Sequence, residues 1–170
     1  MPMRTVALLT LAVCCSMLAV LSAAPAPAAA AGAQARMDRT ERLIVNAINH
    51  QRASHGLAAV GGSRRLARAA NYHSTQMVVH DFFAHDSRDG SPFDNRVRRF
   101  TRKRSVGETL AMHSGGCGRS SAGRFVSMWM NSPGHRAILL GSGFGSVGVG
   151  KRAGHLGSGY ACVVTADFGG

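Results

Sequence analysis

Acidic residues are scarce in this sequence. Asp and Glu total 8 of 170 residues against 20 Lys and Arg, so the formal net charge is +12 and the isoelectric point is near 11.3. This imbalance favours contact with polyanions or anionic membrane surfaces, but it specifies neither a fold nor a reaction. Aromatic residues make up only 6% of the chain. No platform of stacking aromatic side chains is evident, so we expect no specific nucleic-acid partner.

Charged residues of both signs are also few. They make up 16% of the chain, whereas hydrophobic residues make up 45%, a composition that excludes both intrinsic disorder and a coiled coil. No internal repeat is visible, and the length suffices for one domain with a sizeable core. The composition therefore predicts a single globular domain.

The first 31 residues are typical of a secretory signal peptide. Arg4 supplies the positive start, residues 6–21 are apolar apart from two hydroxyl residues, and Ala/Pro-rich sequence follows. Small residues leave the cleavage site open between Ala31 and Ala35. The alternative is an uncleaved membrane anchor, although the apolar run is slightly short for a span. We expect residues 32–39 to form a short linker, residues 40–170 to form the domain, and the protein to be secreted.

Cysteine is rare outside this leader. Cys14 and Cys15 lie within the predicted signal peptide, so Cys117 and Cys162 are the two that remain after cleavage. An exported chain meets an oxidising environment, and two is the minimum number for a bridge. We predict a disulfide between Cys117 and Cys162. Two free buried thiols are the alternative.

Apolar periodicity predicts a largely helical first part of the domain. Residues at three- and four-residue steps indicate one helix from Thr40 and a second from Ser63 to about Val79. A third helix with this periodicity ends near Asn131. Shorter helices are predicted over residues 93–100 and from Pro133, which suits the first helical position.

The second part of the domain is rich in glycine and β-branched residues. Val147 and Val149 alternate with glycine, and a β-branched run surrounds Cys162. This pattern predicts two strands of a hairpin, joined by a loop over residues 151–159.

Three polar residues are candidate site residues: His85, Glu108 and His135. Each lies beside loop-forming residues, where functional side chains concentrate. Glu108 lies in an apolar stretch, where a carboxylate is costly to bury without a partner. Two imidazoles and a carboxylate can hold a divalent metal or share protons. Spacing alone leaves open whether the three meet or whether each His is a hydrogen-bonded structural residue.

A dense run of positive charge precedes Glu108 and is named here the basic stretch. It either contacts a polyanion or anionic membrane through salt-dependent electrostatics, or forms the solvated face of a variable loop. The basic stretch consists of Arg96, Arg98, Arg99, Arg102, Lys103 and Arg104.

An ordered set of motifs makes the chain resemble a bacterial, secreted member of the CAP superfamily. This superfamily includes the cysteine-rich secretory proteins, antigen 5 and pathogenesis-related 1 proteins, and its domain is also called the SCP domain. The motifs are INHQRASHGLAAV, FFAHDSRDGSPFDNRV, VGETLAM, MWMNSPGHRAILL, FGSVGVG and ADFGG. The resemblance implies an α+β fold, a three-layer α-β-α sandwich with a mostly antiparallel sheet. It also implies a cleft lined by two His and two acidic residues.

The resemblance assigns the three candidate residues to that cleft. His85 matches the first His of the family, Glu108 the Glu of its Gly-Glu-Asn motif, and His135 the second His. Thr109 replaces the Asn of that motif. Many members place a second Glu on the helix that here carries Trp129, yet residues 120–131 contain no acid. We therefore expect a triad, in which zinc binding through the two His residues is weak.

The family connection favours a non-enzymatic extracellular binding module. Its expected ligand is lipid-like, sterol-like or part of a cell envelope, and it would contact His85, Glu108 and His135. The alternative is a hydrolase in which His85 and His135 hold a divalent cation and Glu108 acts as general base. Only this alternative requires a cofactor, and zinc is the candidate.

Overall fold

The computed structural model describes residues 37–170. The predicted signal peptide, its cleavage site and the alternative membrane anchor lie outside the described residues. Within residues 37–170, no helix is both long enough and apolar enough to cross a membrane.

The two long helices begin at capping residues. Helix α1 covers Arg39–Ser54, and Asp38 and Glu41 accept hydrogen bonds from each other's backbone N–H groups. This capping box starts the helix one residue before the predicted domain boundary. Helix α2 covers Arg64–Val79, and the side chain of Ser63 accepts from the backbone of its first turn, as predicted.

Three shorter helices complete the helical part: α3 at Phe93–Arg98, α4 at Ser121–Met130 and α5 at Pro133–Leu139. Helix α3 ends before the predicted residue 100. The backbone N–H groups that follow it bond three residues back, which closes the helix in a tighter turn. Helices α4 and α5 lie where the sequence predicts them.

The four strands form one sheet. They are β1 at Gly61–Gly62, β2 at Val106–Ser114, β3 at Ser146–Leu156 and β4 at Gly159–Gly169, in the order β1-β3-β4-β2. Only β1 and β3 pair in parallel, so the sheet is mostly antiparallel as predicted. Strand β2 occupies an edge and pairs with β4 along its whole length.

The predicted loop between the last two strands is wrong. Strands β3 and β4 pair as far as Leu156 and Gly159, which leaves a turn of two residues rather than a loop over residues 151–159. Gly157 has φ +59°. A glycine with positive φ suits a two-residue hairpin turn, because that turn matches the twist of the strands.

Helices cover the sheet on both faces, which makes the α-β-α sandwich. Helix α2 packs on one face against β3 and β4, and α1 and α4 pack on the other. The main core lies on the second face, and its largest members are Ile44, Ile48, Phe125, Trp129, Leu139 and Phe168.

Glycines on β3 allow α2 to lie directly on the sheet. A Cβ atom at Gly148 would overlap the backbone of Ala67, and one at Gly150 would overlap the backbone of Asn71. Both glycines alternate with buried valines on the opposite face of β3.

Cys117 and Cys162 form the predicted disulfide, with their Cα atoms 5.1 Å apart. Cys117 lies in the loop after β2, and Cys162 is fully buried on β4. The bridge therefore fixes that loop to the sheet.

Candidate functional site

The structure brings the three predicted site residues together. His85 lies in the loop after α2, Glu108 near the start of β2, and His135 in the first turn of α5. The Nδ1–H of His85 donates to Oε1 of Glu108 at 2.9 Å, and the His85 and His135 ring centroids are 5.8 Å apart. They share a cavity of about 420 Å³, named here the cleft, which is lined by His85, Phe93, Glu108, Ser132, Gly134, His135 and Ile138.

The two partners of this hydrogen bond differ in exposure. The side chain of His85 is 46% exposed, whereas that of Glu108 is fully buried. The imidazole thus meets solvent, and the carboxylate behind it orients the ring.

Arg96 is a buried partner of Glu108. Its Nη2 forms an ion pair with Oε2 of Glu108, its Nη1 donates to the carbonyl of His85 at 2.9 Å, and its side chain is 1% exposed. Its assignment to the exposed basic stretch is therefore wrong. A buried carboxylate requires a cation and hydrogen bonds to offset desolvation, and α3 supplies that cation.

Both oxygens of Glu108 are consequently occupied. Oε1 accepts from His85 and Oε2 from Arg96. The apolar setting of Glu108 in the sequence indicates that a partner is needed, but the choice of Arg96 depends on how α3 packs against the sheet.

A second buried acid, Asp167, lies behind Glu108. The two residues are directly opposite each other on β2 and β4, and Asp167 is fully buried. No hydrogen-bond donor among residues 37–170 reaches either of its side-chain oxygens. Burial raises the pKa of Asp167 well above its ordinary value, and the adjacent charge of Glu108 raises it further. These surroundings favour the protonated, neutral form of the Asp167 carboxyl.

Asp167 does not line the cleft, so Glu108 is the one acid among the cleft residues in the described chain. In the sequence, Asp167 is recognisable as a single carboxylate within the apolar run of the last strand. The sequence motifs do not point to Asp167, because the resemblance places the expected second acid on the helix of Trp129.

Of the other histidines considered, His135 lines the cleft, whereas His73 and His113 do not. Burial lowers the pKa of His135, and the neighbouring His85 lowers it further, which keeps the ring neutral at neutral pH. His73 is a buried core residue whose Nε2–H donates to the carbonyl of Ala84 at 2.8 Å. His113 lies against Phe125, away from the cleft.

The cleft residues do not fit a metal held by three side chains. Among the described residues, no group of three or more His, Cys, Asp or Glu side chains is arranged to hold a metal ion. Glu108 already shares its oxygens with His85 and Arg96. A site formed by His85 and His135 alone stays a prediction.

The remaining members of the basic stretch are exposed. Arg98 pairs with Asp94 at 3.4 Å and donates to the carbonyls of Lys103 and Arg104. The stretch therefore contains one buried cation that supports the cleft and five surface cations.

Sequence comparisons connect the chain with other bacterial proteins. It is 32% identical over 111 residues to the uncharacterized protein YkwD of Bacillus subtilis, and 31% identical over 112 residues to the uncharacterized membrane protein YlbC of the same species. Each match covers 65% of this chain. The matched residues span 41% and 31% of those two proteins, so the chain corresponds to less than half of either.

Solved structures share its architecture. An extracellular protein containing a SCP domain from Bacillus anthracis matches with a TM-score of 0.61 and 26% identity, over 76% of this chain and 40% of that one. An outer surface protein from Borrelia burgdorferi matches with a TM-score of 0.63 and 17% identity, over 78% of this chain and 95% of that one. The second likeness shows the fold alone.

A sequence profile described as CAP, the cysteine-rich secretory protein family, matches residues 45–165. These residues include the elements that carry His85, Glu108 and His135 as well as both bridged cysteines. The structural likeness to the SCP-domain protein agrees with this match. The chain belongs to the CAP family of cysteine-rich secretory proteins.

Proposed function

We propose that this protein is an exported, non-enzymatic binding module that receives a lipid-like, sterol-like or cell-envelope ligand in the cleft. The observation that carries the proposal is the double engagement of Glu108 by His85 and Arg96. A carboxylate whose two oxygens both accept hydrogen bonds holds the ring of His85 in a fixed orientation. Such a carboxylate is poorly placed to take a proton from water.

The cleft also lacks an activated nucleophile. Among residues 37–170, no Ser hydroxyl hydrogen-bonds to His85 or His135, although Ser132 lines the cleft. The nucleophile–base contact that covalent catalysis uses is therefore not formed.

The walls of the cleft suit an amphipathic ligand. Phe93 and Ile138 supply apolar surface, and the exposed edge of His85 and the neutral ring of His135 supply hydrogen-bonding nitrogen atoms. Apolar walls with a few polar groups are the usual composition of a small-molecule site. A lipid-like molecule with a single polar head group can contact the apolar walls and hydrogen-bond to the histidine nitrogen atoms.

Export is supported by the predicted signal peptide and by the bridged cysteines, which an oxidising compartment favours. A structural relative at 26% identity is itself an extracellular protein.

A direct test is mass spectrometry of small molecules that copurify with the exported protein, followed by NMR titration with palmitate and cholesterol. Saturable shifts at His135 and Ile138 are expected for at least one probe. Ile138→Asp should weaken binding about tenfold or more, because it places a charge on an apolar wall. Val79→Asp is the matched control, since Val79 is 59% exposed on α2, away from the cleft. Equal affinity for both variants contradicts the proposal.

The hydrolase alternative has its own test. If His85 and His135 hold zinc, elemental analysis after dialysis finds about one zinc per chain, and both rings respond to added zinc in NMR. Loss of that response in Glu108→Gln would support a role for Glu108 in the site. Metal-free protein whose rings ignore zinc excludes this alternative.

The five exposed members of the basic stretch support a second proposed contact, with anionic membranes or polyanions. Their charges lie on one short segment, where electrostatic attraction to an anionic surface adds up.

A further inference from the structure

A second cavity lies between α2, the loop before α3, and α3 itself. Its volume is about 400 Å³, within the range of small-molecule sites. We name it the side cavity. The lining residues used below are Tyr72, His80, Phe82, Arg88, Arg96 and Arg99.

The side cavity shares Arg96 with the site already described. Arg96 is in the lining of the side cavity, and Glu108, to which it is paired, is in the lining of the cleft. The Nε of Arg96 is buried and has no hydrogen-bond partner among the described residues. This nitrogen is closed to solvent, so Arg96 contributes its charge rather than this donor to the side cavity.

The wall of the side cavity carries a positive charge. Arg96 is balanced by Glu108, but Arg88 and Arg99 face a single acid, Asp89. The carboxylate of Asp89 already accepts hydrogen bonds from the backbone and hydroxyl of Ser91. Arg88 also contacts Nδ1 of His80 at 3.3 Å, which holds its guanidinium against the end of α2.

Aromatic rings form another part of the wall. Tyr72 is 45% exposed and lies 6.1 Å, centroid to centroid, from the ring of Phe100. Phe82 packs edge-on against His73 with centroids 6.0 Å apart. The side cavity thus combines guanidinium groups with flat apolar surface.

We propose that the side cavity binds a small phosphate or sulfate monoester that carries an aromatic or other flat apolar group. Guanidinium groups match such oxyanions in geometry and charge, and three terminal oxygens can satisfy more of these donors than the two of a carboxylate. The apolar part of the ligand packs against Tyr72 and Phe82. This inference is independent of the ligand proposed for the cleft.

The test is a titration of the exported protein with phenyl phosphate at fixed ionic strength, monitored by NMR. Saturable shifts are expected at His80 and Phe82, with weaker binding of inorganic phosphate and of phenol. The double variant Arg88→Gln/Arg99→Gln should lose about tenfold or more in affinity, because it removes two charged donors.

The matched control is Arg102→Gln/Arg104→Gln, which removes the same amount of charge from two exposed residues that do not line the side cavity. This control should keep nearly the full affinity. Three results would overturn the proposal: no saturable shift, equal losses in the two double variants, or phenol binding as tightly as phenyl phosphate. Equal losses would mean diffuse electrostatic attraction, and equal phenol binding would mean an apolar pocket without anion recognition.

Discussion

Glu108 and Asp167 lie directly opposite each other on neighbouring antiparallel strands, and both are buried. Arg96 forms an ion pair with Glu108, whereas burial and the adjacent carboxylate raise the pKa of Asp167 well above its ordinary value. A buried ion pair and a carboxyl whose neutral form is favoured thus lie side by side.

The raised pKa of Asp167 makes a prediction about stability and pH. The folded protein keeps this proton at pH values where the unfolded chain releases it, so the free energy of unfolding falls as pH rises above the ordinary carboxyl pKa of about 3.9. Asp167→Asn removes this dependence. The variant should gain stability relative to wild type as pH rises above about 4, in urea unfolding monitored by circular dichroism.

Asp94→Asn, a change in a more exposed carboxylate on α3, is the control for general charge effects. A stability difference for Asp167→Asn that shrinks with rising pH would show that Asp167 is ionised in the folded protein.

The Arg96–Glu108 pair predicts strong coupling between two substitutions. Arg96→Met leaves a buried carboxylate without its cation and should cost about 3–5 kcal/mol of unfolding free energy. Arg96→Met/Glu108→Gln should recover a large part of that loss, because no buried charge is left unpaired. Denaturant unfolding of the two single variants and the double variant gives the coupling energy.

Arg98→Met is the comparison, since Arg98 pairs with Asp94 on the surface and should contribute less than about 1 kcal/mol. Additive losses in the Arg96 and Glu108 variants would be inconsistent with a buried ion pair.

The disulfide predicts a loss of stability on reduction. Cys117 and Cys162 are 45 residues apart in the sequence. In the chain-entropy model, closing a loop of that length raises the free energy of the unfolded chain by about 4 kcal/mol. Cys117→Ser/Cys162→Ser should therefore unfold at lower denaturant concentration, by about 2–4 kcal/mol. Mass analysis of protein purified without reductant should find Cys117 and Cys162 resistant to alkylation. Two reactive thiols would contradict the bridge.

The exposed part of the basic stretch predicts salt-dependent binding to anionic vesicles. Neutralising Arg98, Arg99, Arg102 and Arg104 together should weaken binding at low salt and leave the fold intact. The matched control neutralises four exposed arginines elsewhere, which are Arg119, Arg124, Arg136 and Arg152. Sedimentation with phosphatidylserine vesicles compares the two variants. If both bind as wild type does, the stretch is only a solvated surface.

The sequence predicted the helices well because their signals are local. Asp38 and Ser63 cap α1 and α2 through residues three positions away, and the apolar spacing around Trp129 marks α4. Strand β2 is harder to predict from the sequence. Most of it is buried on both faces, so it lacks the alternation of a strand with one solvent-exposed face.

The candidate site was predictable only in part. Ordered motifs identified His85, Glu108 and His135, which the structure brings together. Arg96 was assigned to the surface because its neighbours in sequence are surface cations. Its burial, and the position of Asp167 behind Glu108, depend on contacts between elements far apart in the chain.

Gly148 and Gly150 are positions where any larger residue would meet the backbone of a packed helix. Neither carries a functional group, yet a single methyl at either position meets the backbone of α2 rather than a movable side chain. The helix would have to shift away from the sheet, and α2 also forms one wall of the side cavity. A substitution at either glycine would therefore reshape the wall of the side cavity from the opposite side of α2, without changing any residue that lines it.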